Sequence, residues 1–282
     1  MAPTDIVAAA PAADWVAIPP SDLLVMDLAP DANGRARRVV IQLMPSPFSQ
    51  GWIANIRALA AAHWWDGTSI NRVQDNYVVQ WGDPDGEDKT KAKPLPAGLR
   101  VMQQDAYLAR YDSTVTSVQI LDTPYAQADT FFHGWPIAAG SGAAWPVHCY
   151  GMVGVGRDMP PDTGSGAELY AVIGHAPRQL DRNIALVGRV IDGIENMSAL
   201  PRGTAPLSFY KTAAERTPIR SVRIASDLPA GDQPHFEYLS TESASFAAYA
   251  AARANRRDQF FVAPAGGADV CNLPVPIRPQ KP

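Results

Sequence analysis

Proline is the feature that most restricts this chain: 26 prolines, with 21 glycines, are spread through 282 residues. Proline inside a helix removes a hydrogen bond and costs about 3 kcal/mol, so a sequence interrupted this often cannot sustain long helices. Short strands joined by turns are the alternative. A hydrophobic content of 46% supplies a core, and the length suits one domain with extensions. The formal net charge of -4 lacks the basic footprint of a phosphate-tracking protein, which sets nucleic acid aside as a partner. No apolar run reaches the roughly 18 residues of a membrane-spanning helix.

Residues 1–20 are rich in alanine and proline, and their apolar stretch is too short and too little flanked by basic residues for a signal peptide. They read as a flexible leader. Residues 22–28 and 38–43 are β-branched apolar runs separated by turn residues 30–34, a predicted hairpin. Trp52, Ile56, Leu59 and Ala60 recur at helical spacing within residues 49–63, with Ser49 as candidate cap. Residues 69–73 and 77–81 form a second predicted hairpin that sets Arg72 opposite Gln80. Residues 83–147 lose periodicity, apart from a strand-like piece at 117–121, and read as an insertion. Further strands are predicted at 150–155, 168–174, 184–190 and 219–225, a helix at 191–200, and an alanine-rich helix at 241–260. The expected organisation is a leader, a domain over 21–227 carrying the insertion 83–147, and a C-terminal helix and proline-rich tail over 228–282 packed on that domain.

The chain has two cysteines, Cys149 and Cys271. Their separation is compatible with one disulfide fastening the tail to the domain; two buried thiols are the alternative. A disulfide would favour an oxidising compartment such as a periplasm over the cytoplasm. The run Thr163-Gly164-Ser165-Gly166 lacks the lysine of a phosphate-cradling loop, and Ser165 with His175 lacks the elbow and acidic partner of a hydrolase. The five histidines show no metal-ligand spacing, so no metal is expected.

Several strings, in order, resemble one family, the cyclophilin-type peptidyl-prolyl isomerases. Asn55-Ile56-Arg57-Ala58-Leu59 is similar to the family's Asn-Phe-Arg-Ala-Leu helix, and Ile70-Asn71-Arg72-Val73 with Tyr77-Val78-Val79-Gln80-Trp81-Gly82-Asp83 resembles its Phe-His-Arg and Phe-x-x-Gln-Gly-Gly-Asp signature. Residues 151–155 and Asp162-Thr163-Gly164-Ser165-Gly166 resemble the following strand and loop, and Leu180-Asp181 with Ala185-Leu186-Val187-Gly188-Arg189-Val190 the next. The resemblance covers residues 23–225 outside the insertion. It implies a mainly β fold: a closed antiparallel eight-stranded barrel with two capping helices, here with an extra C-terminal helix.

The implied activity is cis/trans isomerisation of X-Pro bonds in unfolded or flexible polypeptides, assisting folding, with no cofactor. The alternative is a proline-peptide binding or chaperone module with weak catalysis. Rotation about X-Pro meets a barrier of about 18–20 kcal/mol although the isomers differ by only about 0.5–1 kcal/mol. No covalent bond has to break. A fixed donor that stabilises the twisted amide suffices, and a guanidinium stays charged at any working pH. Arg72 stands at the family's catalytic arginine, with Gln80 as its orienter. Tyr77, Val78, Tyr170 and Leu180 fall where the family has its proline pocket, and Gly156 and Arg157 where it receives peptide backbone. Three positions depart from the pattern. Glu168 replaces a glutamine and is expected close to Arg72, either locking the guanidinium or occupying its donors. Gln179 and Ile184 replace an aromatic residue and a histidine that help bind cyclosporin, so poor cyclosporin binding is expected; a titration showing submicromolar affinity would contradict this.

Overall fold

Residues 1–110, 121 and 123–280 are described by a computed structural model, in which the chain divides into two compact units. The strand-like reading at 117–121 lies largely outside the described residues.

The larger unit, Pro19–Tyr107 with His148–Gln233, holds eight strands: β1 (Leu23–Leu28), β2 (Arg37–Leu43), β3 (Ser69–Val73), β4 (Val78–Gly82), β5 (Met152–Val155), β6 (Leu169–Val172), β7 (Leu186–Asp192) and β8 (Thr217–Ile224). They close into an antiparallel barrel in the order β5-β6-β4-β3-β8-β1-β2-β7, with β7 returning to β5. The mainly β, eight-stranded expectation holds. The β-branched run Val39-Val40-Ile41 and the run Leu23-Leu24-Val25-Met26 are buried on both faces, as strands covered inside and outside must be. Strand β8 instead alternates, burying Thr217, Ile219, Val222 and Ile224; the three-residue step from Ile219 to Val222 spans a bulge in its pairing with β1.

Helix α1 (Gln50–Ala61) buries Trp52, Ile56 and Leu59 at the spacing read from the sequence. Ser49 precedes it but does not cap it: the residue is left-handed (φ 55°) and its side chain makes no cap bond, while Gln50 Nε2 donates to the Phe48 carbonyl at 2.7 Å. The helix also fixes the 163–166 loop. Trp52 Nε1 donates to the carbonyls of Thr163 and Gly164 (3.1 and 3.0 Å), and Asn55 Nδ2 donates to that of Ser165 (2.9 Å). The second capping helix is only one turn, α2 (Glu195–Ser198). Strand β7 runs on to Asp192, and the chain then turns at Gly193 (φ 78°), where a Cβ would lie 2.0 Å from the Arg38 carbonyl oxygen.

The smaller unit joins Met1–Ile18, Leu108–Val147 and Pro234–Pro282. The first twenty residues are therefore not a flexible leader: Pro3–Ala9 is helical, and Trp15–Ile18 pairs with Phe236–Leu239, which pairs in turn with Ile277–Pro279. Nor is 83–147 one insertion, since residues 83–107 belong to the barrel unit. A four-stranded sheet runs Ala109–Arg110, Ala143–Pro146, Trp135–Gly140, Ala128–Phe132. The alanine-rich helix spans Ala244–Ala254, shorter than residues 241–260, because Ser243 Oγ accepts from the Phe246 amide (3.0 Å) and so sets its start. Both cysteines are disulfide-bonded, which removes the reading of two buried thiols.

Candidate active site

Pairing register builds the site. Arg72 on β3 lies opposite Gln80 on β4, Gln80 opposite Tyr170 on β6, and Tyr170 opposite Gly154 on β5, so one row crosses four neighbouring strands. A bulge at Asn71 shifts the register between Ile70 and Arg72. Such a bulge re-aims the next side chain. It is held by Asn71 Nδ2, which donates to the Gly82 carbonyl at 3.1 Å, and by Ser69 Oγ, which donates to Asn71 Oδ1 at 2.6 Å. Trp81, bulky where the family has glycine, is fully buried and sits opposite Ile70 on β3 and Leu169 on β6.

The guanidinium of Arg72 is anchored from three directions. Its Nε donates to the Leu207 carbonyl at 2.7 Å, Nη2 to Gln74 Oε1, and Nη1 to Gln80 Oε1 at a long 3.4 Å. The rings of Tyr77 and Phe209 lie 5.7 and 5.6 Å from it. Partial burial lowers its pKa from the ordinary value, yet an arginine so placed keeps its charge.

Beside this row is a cavity of about 410 Å³, lined by Arg72, Gln80, Tyr77, Val78 and Tyr170 together with Gly156, Arg157, Leu180 and Ile184. Val78, Tyr170 and Val172 form its apolar base, with Tyr77, Leu180 and Ile184 packed against them. The residues read as catalytic and most of those read as substrate-binding thus share one concavity. Gln179 and Glu168 do not: Gln179 is exposed and outside the lining, and Glu168 lines a second, smaller cavity instead. Arg157 lines the cavity but its guanidinium is held by the Asn183 carbonyl, at 3.0 Å from Nε and 2.9 Å from Nη2. Sequence reasoning missed Leu207 and Phe209, which complete the rim beside Arg72, and Glu87 and Asp158 elsewhere on the lining.

The family model for cyclophilin type peptidyl-prolyl cis-trans isomerase/CLD matches residues 33–226, which contain the whole row and most of the barrel. This chain belongs to the cyclophilin family. Among solved structures, cyclophilin AquaCyp293 from Hirschia baltica superposes with a TM-score of 0.71 at 21% identity, covering 95% of each chain, and so shares the fold. A cyclophilin type peptidyl-prolyl cis-trans isomerase from Cryptosporidium parvum gives 0.42 at 14% identity, over 72% of this chain and 97% of its own. A search of curated protein sequences returned no match. Family and barrel together identify the chain as a peptidyl-prolyl cis-trans isomerase.

In this cyclophilin Glu168 neither locks Arg72 nor occupies its donors; among the described residues no ion pair joins them. The carboxylate turns away to accept the Asp83 amide at 2.7 Å and lies against Gly82, where any Cβ would clash with it at 2.1 to 2.4 Å. Its other neighbour is the Gln80 side chain, so Gln80 stands between Glu168 and Arg72. Burial pushes this carboxyl up to about 8 from an ordinary 4.5, and the nearby carboxylates of Asp83 and Glu87 add to the shift. The folded protein therefore keeps a proton that the unfolded chain releases as pH rises past 4.5. That contribution is complete below the unfolded value and is lost up to about pH 8, by at most ~1.4 kcal/mol per pH unit from this group. Glu168→Gln is expected to flatten the fall in urea midpoint between pH 5 and pH 8 while leaving isomerisation at pH 6 near the wild-type rate. Equal slopes in both proteins would contradict the assignment.

Tyr170 stands at the floor of the cavity with its hydroxyl committed inward. His148 is fully buried; its Nε2 lies 2.9 Å from Tyr170 Oη and its Nδ1 2.8 Å from Asp181 Oδ1, which also accepts the His148 amide at 3.0 Å. Arg178 Nε donates to Asp181 Oδ2 at 2.7 Å. Both ring nitrogens of His148 are thus engaged, one by the carboxylate and one by the tyrosine hydroxyl. The ring is therefore fixed, and it offers the cavity a face rather than a donor. Gly154 permits this, since a Cβ there would lie 2.3 Å from the Tyr170 oxygen.

Proposed function

We propose that this domain isomerises X-Pro bonds in unfolded or flexible polypeptides and thereby assists their folding, with Arg72 as the catalytic residue and no cofactor. The observation that carries the reading is the row Arg72, Gln80, Tyr170 set against an apolar cavity. Burying a proline ring on Val78, Tyr170, Leu180 and Ile184 contributes roughly 25 cal/mol per Å² of apolar surface and fixes the imide beside the guanidinium. Arginine has five N–H donors and three are engaged, the Nη1 contact at 3.4 Å only weakly. The remaining donors are available to the twisted amide, whose nitrogen becomes a better acceptor as conjugation is lost. Since the anchoring bonds are made before substrate arrives, little reorganisation is needed in the transition state.

The disulfide-bonded state of Cys149 and Cys271 supports an oxidising location such as the periplasm. The folding role is tested with a protein whose refolding is limited by a native cis-proline: catalytic amounts of this chain should accelerate the slow phase. Slow-phase rates unchanged, with the client nevertheless bound, would favour the alternative of a proline-peptide binding module.

A further inference from the structure

The loop over residues 203–210 is bound to β3 on both sides of Arg72. Gly203 donates its amide to the Val73 carbonyl (3.0 Å), Tyr210 its amide to the Asn71 carbonyl (2.9 Å), and between them the Leu207 carbonyl accepts Arg72 Nε. The loop closes on itself through the Ala205 amide and the Phe209 carbonyl at 3.0 Å. It contains two consecutive non-glycine residues in the left-handed region, Leu207 (φ 57°) and Ser208 (φ 63°), a conformation that costs of order 1–3 kcal/mol per residue and persists only where the surroundings enforce it. The result is that Leu207 remains 70% exposed although it is a leucine, on the lining of the cavity and joined through its own carbonyl to the catalytic guanidinium. The half-buried ring of Phe209 lies on the same rim and also lines a second, smaller cavity of about 190 Å³. An exposed leucine and an aromatic ring, held by strained backbone at the mouth of a site, have no core to serve there.

We propose that Leu207 and Phe209 form an apolar subsite beside Arg72 that favours a large apolar side chain on a residue adjoining the isomerised proline. The inference rests on the reading of this cavity as an X-Pro isomerase site. Beside Arg72 on the lining, Leu207 and Phe209 supply hydrocarbon; the second cavity that Phe209 borders is lined by Asp83, Glu87, Glu168 and Arg216, so the apolar contact is confined to the rim of the larger one.

The test uses four short peptides with one proline, carrying glycine or leucine immediately before it or immediately after it, and measures kcat/KM for isomerisation by exchange NMR. In the full chain, leucine should exceed glycine about five-fold or more at one of the two positions. In Leu207→Asn, whose side chain tolerates the left-handed backbone, that ratio should fall to within about two-fold while the ratio at the other position stays put. Leu207→Gly should behave alike and serves if the first variant is poorly folded. Glycyl peptides accelerated with no leucine preference at either position, or a preference unchanged in both variants, would overturn the subsite and leave the isomerase reading standing. Failure to accelerate any of the four would overturn the isomerase reading, and the subsite with it.

Discussion

Arg72→Ala should lower kcat/KM for an X-Pro peptide by about 100-fold or more while the protein stays folded. Removing one pre-organised donor from a charge-stabilising site costs on the order of 10²–10³ in rate, and here the donor is the anchored guanidinium on the cavity lining. The side chain is only half-buried, and its bonds are to a loop carbonyl and two side-chain amides, so stability should change by about 1 kcal/mol. Arg72→Lys separates charge from geometry. A lysine keeps the charge but cannot donate to Leu207, Gln74 and Gln80 from one planar fork, so an activity loss of about 10-fold or more is expected. Peptide binding measured alongside should weaken far less than turnover in both variants, because Val78, Tyr170 and Leu180 remain. Wild-type turnover in Arg72→Ala would contradict the assigned role.

The largest stability effect is expected elsewhere, at Asp181. Its carboxylate is 5% exposed, and it accepts the His148 amide, the His148 ring and the Arg178 guanidinium. Asp181→Ala takes away the anion around which two buried basic side chains are arranged. Breaking a buried pair from one side costs about 3–5 kcal/mol, which for a chain of this size lowers the melting temperature by on the order of 10 °C. Asp181→Asn keeps the shape and some acceptor capacity and should fall between. The wall of the cavity should suffer with it, since Tyr170 is oriented through His148. A thermal melt of Asp181→Ala within about 2 °C of wild type would show the network to be dispensable.

What the sequence disclosed follows the range of the interactions. The β3–β4 hairpin closes within a few residues, so its β-branched runs and turn residues predicted the Arg72–Gln80 pairing directly. Tyr77, Val78, Tyr170, Leu180 and Ile184 were placed through family strings and do line the cavity together. Leu207 and Phe209 were hidden because they sit in an aperiodic loop whose bond to Arg72 joins residues 135 apart. His148 and Asp181 are 33 residues apart, and nothing local marks either as buried. The Glu168 reading failed for another reason: both alternatives assumed a side-chain partner, whereas the carboxylate is taken by a backbone amide next to a glycine. The supposed leader at residues 1–20 contains a four-residue strand whose partner begins at Phe236, too far along the chain for pattern to reveal.

The most direct measurement is two-dimensional exchange NMR on a single-proline peptide with the full chain at a few per cent of the peptide concentration. Cross-peaks between cis and trans resonances should appear on a sub-second timescale, against the tens of seconds of uncatalysed isomerisation, and should vanish in Arg72→Ala. Peptide resonances that shift on binding without any exchange cross-peaks would contradict a guanidinium-catalysed rotation at this site.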